Sequence, residues 1–198
     1  MRYRKGTTLV VVDVQNDFAD PEGSLYVDGA EAAVVRVIEE VLAAEESGAP
    51  VVYTADWHPS RTPHFEPDGG SWPVHCVADT WGAELHPALP VVGPVVRKGV
   101  DGEDGYSGFS VRDPESGEES PTELERLLRE RDTEHVVITG IATDVCVAAT
   151  VADARRLGFA VTVLADATAA VEVHDGDTSA ALQSMRDAGA LVEGEPAR

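Results

Sequence analysis

Along the chain, short apolar runs of β-branched residues alternate with longer stretches in which apolar positions recur every three or four residues. Runs of the first kind read as buried strands and stretches of the second as amphipathic helices. Their alternation marks βα units that build a parallel sheet. Strands are predicted at Leu9–Val12, Val51–Thr54, Val92–Val96, Val136–Thr139, Val161–Leu164 and near Leu191, and helices at Ala30–Ser47, Thr122–Arg131, Thr143–Leu157 and Asp175–Ala188. Gly48, Gly158 and Gly189 each follow a helical stretch, where a left-handed glycine ends a helix. The expectation is one α/β domain over residues 1–198, a three-layer α/β/α, doubly wound, mostly parallel six-stranded sheet. Two segments break the alternation. Residues 56–90 are rich in Pro, Gly, His and Trp, and so long a loop inside a domain is usually functional. Residues 99–121 are acidic and Gly-rich and read as a mobile flap or a subunit contact, which leaves homo-oligomerisation open.

Composition narrows the partners. Against 15 Lys plus Arg stand 36 Asp plus Glu, a net charge of −21. Such a surface repels phosphate backbones and anionic lipid, so neither nucleic acid nor a membrane is an expected partner. The apolar share of 43% is too high for a disordered acidic chain. The apolar run before Asp13 is too short for a signal-peptide core or a membrane span. Two cysteines make no disulfide framework, and a cytoplasmic protein with free thiols is expected.

In open α/β sheets, ligands bind outside the carboxyl ends of the strands. The polar residues that first follow the apolar runs are Asp13, Asp56, Lys98, Asp144 and Cys146, and all should converge on one edge. Asp13 interrupts the run LVVVDV, where an unpaired acid costs several kcal/mol. Lys98, one of only two lysines in the chain, is its natural partner. On these two residues alone a structural ion pair is as good a reading as a functional one. Cys146 shifts the balance. It falls in the first turn of a predicted helix capped by Thr143 or Asp144, where the helix dipole and a nearby ammonium favour thiolate and free N–H groups could hold an oxyanion. In the long loop, Asp56, His58, His64 and His75 offer carboxylate and imidazole ligands suited to a borderline divalent cation. Cys76 beside His75 admits a rival site with a thiolate. Trp57, Trp72 and Phe18 are candidates for the apolar walls of a small pocket.

Together these residues resemble the isochorismatase-like cysteine hydrolase superfamily, and within it the nicotinamidases/pyrazinamidases. DVQNDF at 13–18, KG at 98–99, YSGF at 106–109 and GIATDVCV at 140–147 follow superfamily order, while DWH at 56–58 and SWPVHC at 71–76 are the more specific pair. The resemblance implies a catalytic triad of Asp13, Lys98 and Cys146. It implies one divalent metal (Zn, Fe or Mn) on Asp56, His58 and His75, with His64 a ligand in only some relatives. Phe18, Trp72, Tyr106, Ile141 and Ala142 would enclose the substrate, and N–H groups of Ala142 and Cys146, set by a cis peptide at Ile141–Ala142, would hold the oxyanion. The implied reaction hydrolyses nicotinamide to nicotinate and ammonia through a thioester, in NAD salvage. Ionised Asp13 opposes a negative sulfur whereas Lys98 and the helix terminus favour it, which points to a resting pair of neutral acid and thiolate. Two alternatives stay open: an amidohydrolase of carbamoyl or ureido substrates, and a non-catalytic metal-binding domain of the same fold.

Overall fold

A computed structural model describes residues 2–195. In chain order its elements are β1 (Thr7–Val12), α1 (Asn16–Ala19), α2 (Ala30–Glu46), β2 (Val51–Asp56), β3 (Val95–Lys98), β4 (Ser110–Arg112), β5 (Glu119–Pro121), α3 (Leu124–Arg129), β6 (His135–Ile141), α4 (Ala148–Arg156), β7 (Ala160–Ala169), α5 (Asp177–Asp187) and β8 (Leu191–Glu193). Six strands form one parallel sheet in the order β3-β2-β1-β6-β7-β8. The parallel pairing is complete, where the sequence led us to expect a mostly parallel sheet. β4 and β5 make a separate antiparallel hairpin inside the acidic segment.

Every residue of β1 is buried, because successive side chains enter opposite cores. Leu9 and Val11 pack with Val34, Val37 and Val41 of α2 on one face. Val10 and Val12 pack with Leu124 and Leu128 of α3, Val151 of α4 and Leu182 of α5 on the other. The result is the expected three-layer α/β/α arrangement. Gly48, Gly158 and Gly189 have φ of 73°, 88° and 87° just past helix ends, which a glycine adopts without a Cβ penalty.

Connections run from β1 outward to β2 and β3 on one side and from β6 outward to β7 and β8 on the other. The order therefore reverses between β1 and β6, and the crevice beyond their carboxyl ends is where this topology places a ligand. Asp13 lies just past β1 and Cys146 just past β6. Among the described residues, no helix is long and apolar enough to cross a membrane.

Candidate active site

The chain leaves β1 through Asp13 with φ at 48°, an uncommon conformation for a residue with a side chain. Thr54 donates to Asp13 Oδ1 at 2.6 Å, and Lys98 Nζ lies 2.8 Å from Oδ2. Lys98 ends β3, and its side chain is fully buried. It also donates to Asp56 Oδ1 and to the carbonyl of Gly105, and its Nζ stands 3.8 Å from Cys146 Sγ. Carboxylate oxygens of Asp13 and Asp56 and the sulfur of Cys146 all lie within 4.8 Å of one another.

Burial pushes the Asp13 carboxyl up, against the pull of Lys98, to about 6. Burial likewise pushes the Cys146 thiol well above its ordinary range, with Lys98 opposing and the two carboxylates assisting. Burial disfavours the charge on Lys98, but Asp13, Asp56 and Cys146 together hold the ammonium well above its usual range. Of the expected pair of neutral acid and thiolate, the raised carboxyl runs with the neutral acid and the raised thiol against the thiolate: burial disfavours negative charge on oxygen and sulfur alike, and Lys98, shared between two carboxylates, opposes it at both.

The turn that carries Cys146 also differs from expectation. Thr143–Val147 is π-helical and α4 proper begins at Ala148. Neither Thr143 nor Asp144 caps it: the Thr143 hydroxyl donates to Thr168, and the Asp144 carboxylate accepts from the N–H groups of Val171 and Glu172 at 3.0 and 2.7 Å. Asp144 thus fastens the segment after β7 and does not join the other four polar residues. The Ile141–Ala142 peptide is cis.

His58, His64 and His75 are buried, and one ring nitrogen from each falls within 4.8 Å of the others. His58 Nε2 is 4.0 Å from Asp56 Oδ1, and His75 Nε2 is 3.9 Å from Asp56 Oδ2. Burial lowers His58 to about 4, with Asp56 opposing, and lowers His75 as well, so both rings are neutral and offer lone pairs at pH 7. Neither ring nitrogen of His58 has a hydrogen-bond partner although both are buried. A buried polar atom without a partner costs about 1–3 kcal/mol, and a cation would satisfy it. His75 Nδ1 donates to the Pro73 carbonyl at 2.7 Å, which leaves Nε2 free. The residues present therefore fit a divalent cation, with His64 a full member of the imidazole cluster. Cys76 does not belong to it: its thiol is fully buried against the Gly82 carbonyl.

Beside the cysteine and the imidazoles opens a small, mostly apolar cavity lined by Phe18, Trp72, Tyr106, Ile141 and Ala142 and also by Leu25, Val27, Val145 and Val171. Trp57 is not in it; its ring lies under the Arg97 guanidinium, 3.7 Å from the centroid. Two positioning groups escaped the sequence reading. The Gln15 side chain accepts from the Asp56 N–H at 2.8 Å and donates to the Asp56 carbonyl at 2.7 Å and the Ala83 carbonyl at 2.8 Å, clamping the end of β2. Asp17 accepts from the Cys76 N–H at 2.7 Å and so holds the strand of loop next to His75.

The sequence profile of the isochorismatase domain matches residues 7–194. The nicotinamidase/pyrazinamidase of Mycobacterium tuberculosis is 44% identical over an alignment of 185 residues that covers 91% of this chain and 94% of that protein. Among solved structures, the pyrazinamidase of Pyrococcus horikoshii in complex with zinc gives a TM-score of 0.84 at 36% identity, covering 95% of this chain and 98% of that one. The L. infantum structure in complex with nicotinate gives 0.83 at 38% identity, covering 96% and 92%.

Proposed function

The chain belongs to the isochorismatase domain family, and on that footing we propose that it is a nicotinamidase, hydrolysing nicotinamide to nicotinate and ammonia and acting on pyrazinamide in the same way. The observation that carries the reading is the meeting of Asp13, Lys98 and Cys146 at the wall of an apolar cavity whose lining also includes His64 and His75. A nicotinamidase of NAD salvage with two free buried thiols is assigned to the cytoplasm.

Cys146 Sγ attacks the carboxamide carbon while Asp13 takes the thiol proton. Asp13 then gives that proton to the departing nitrogen, and ammonia leaves a thioester on Cys146. Water next attacks the thioester carbon and passes a proton through Asp13 to the sulfur, which restores the thiol and releases nicotinate. Lys98 stabilises the negative charge that passes over the sulfur and, by pairing with Asp13, keeps that carboxylate from rising further. The oxyanion of each tetrahedral intermediate sits against the N–H groups of Ala142 and Cys146. Phe18, Trp72 and Tyr106 hold the ring, which an apolar site prefers to a flexible ureido chain. Asp56, His58, His64 and His75 would hold one divalent ion. We favour zinc, with iron and manganese compatible with the same donors. When bound, that ion supplies a Lewis-acid position for the pyridine nitrogen.

Ammonia release tests the reading, with nicotinamide, pyrazinamide and a ureido substrate compared before and after chelation. The two ring amides should be turned over and the ureido compound not, and chelation should suppress turnover. Cys146→Ala should lower kcat by about 10³-fold or more with metal content unchanged. Near-normal turnover by that variant, or a preference for the ureido compound, would overturn the assignment.

A further inference from the structure

We propose that Asp104 is a positioning residue for the metal centre, and that the segment from Asp104 to Tyr106 ties the imidazole cluster, the buried lysine and the cavity wall together. The proposal rests on the reading of His58, His64 and His75 as metal ligands. Three consecutive residues each grip a different part of the site. Asp104 Oδ1 accepts from His64 Nδ1 at 2.7 Å. The Gly105 carbonyl accepts from Lys98 Nζ. The Tyr106 hydroxyl accepts from Trp72 Nε1 at 3.0 Å. The middle position has no room to spare: a Cβ on Gly105 would lie 3.1 Å from Asp56 Oδ1 and 3.3 Å from Lys98 Cγ.

The backbone of Asp104 is latched in turn. Its N–H donates to the Arg112 carbonyl at 2.8 Å, and its carbonyl accepts from the Arg112 N–H at 3.0 Å, an antiparallel bridge to β4. The acidic segment, read from sequence as a mobile flap or a subunit contact, is thus pinned to the site at its inner end. A carboxylate only accepts hydrogen bonds, so Nδ1 of His64 carries a proton and Nε2 is the ring nitrogen left to serve as a ligand. Partners of this kind fix the tautomer and ring orientation of a metal-binding imidazole and raise its basicity. For His75 the neutral Pro73 carbonyl has that place; for His64 a negative charge does.

The test compares wild type, Asp104→Ala and Asp104→Asn by competition for Zn²⁺ with a chromogenic chelator, by nicotinamide turnover across a Zn²⁺ titration, and by melting of the metal-stripped proteins. Asp104→Ala should weaken Zn²⁺ binding by about 10–100-fold. Asp104→Asn, whose amide oxygen still accepts from Nδ1, should weaken it by about two- to tenfold. Excess Zn²⁺ should return kcat of both close to the wild-type value, and the stripped proteins should melt together. Wild-type Zn²⁺ affinity in Asp104→Asn, which keeps the side chain's shape if the alanine variant fails to fold, would overturn the proposal. So would a loss of turnover that excess Zn²⁺ leaves unrestored. A wild-type protein with no affinity for Zn²⁺ would instead overturn the ligand reading itself.

Discussion

Asp13 has to be ionised to take the proton of Cys146, and its carboxyl is held up to about 6 by burial. For an uncharged substrate, kcat/KM should therefore rise through an apparent pKa near 6 and then stay level, since the thiol and Lys98 both titrate well above their ordinary ranges. Metal content measured in the same samples separates this limb from loss of the ion; a flat profile at constant metal content would refute the role. Stability runs the other way. A folded-state value near 6 lies above the ordinary 3.8, so the contribution of this carboxyl is full below the ordinary value and is lost as pH rises through the folded one. Asp13→Asn should accordingly gain stability relative to wild type between acid and neutral pH, while turnover collapses. At this scale the sequence was informative wherever a polar residue broke an apolar run: Asp13, Asp56 and Lys98 declared themselves by the cost of burying them. Gln15 and Asp104 did not, because one works on backbone groups and the other on an imidazole, and neither contact leaves a periodic trace. Asp144 carried the same signal as Asp13 and was misread, since a carboxylate that caps two N–H groups looks no different in sequence from one that meets a lysine.

At the scale of elements, Gly140 decides how β6 meets β1. Its φ is 114°, and a Cβ there would lie 2.0 Å from the Val12 carbonyl oxygen, a backbone atom of the partner strand. β7 bulges at the same level, where Ile138 pairs with Val163 but Gly140 with Thr168. The irregularity re-aims the end of β6 toward the cis peptide and the cysteine turn, as bulges beside active sites do. Gly140→Ala should therefore cost more than about 3 kcal/mol. Gly158→Ala, at φ 88° with open space around it, should cost only about 1–2 kcal/mol. Urea denaturation of the pair checks this, and equal losses would show that the strand contact is irrelevant. The bulge also explains why β7 extends to Ala169 and not to Leu164 as expected: beyond the bulge its residues are Ala, Asp and Thr, too weakly apolar to read as strand. β3 starts at Val95 and not at Val92, because Pro94 has no N–H to donate to a ladder. The β4–β5 hairpin has three-residue strands with mostly polar faces, below what alternation can reveal. The helices α2, α3 and α5 were legible to within a few residues because each carries a full apolar stripe.

The charge of the whole molecule shapes neither the fold nor the chemistry of the site, yet it sets how the stability of the fold responds to salt. A net −21 spread over an exposed surface raises the free energy of the compact state by self-repulsion. Between Asp101 and Glu134 alone, twelve acids stand against four arginines. Two of those arginines are already in short-range pairs, Arg126 with Glu123 and Glu130 and Arg129 with Glu125, all exposed. Exposed pairs contribute little, so screening removes little attraction and much repulsion. The screening length falls from about 10 Å at 0.1 M salt to about 3 Å at 1 M, whereas the contacts among Asp13, Lys98 and Cys146 are buried and lie beyond the reach of mobile ions. The urea midpoint should therefore rise between about 0.05 M and 1 M NaCl, with KM for the neutral nicotinamide unchanged within about twofold, since steering acts only on charged ligands. A midpoint that falls with salt would mean that surface ion pairs outweigh repulsion. A KM that climbs with salt would mean that the acidic surface takes part in binding, contrary to a cavity whose lining is mostly apolar.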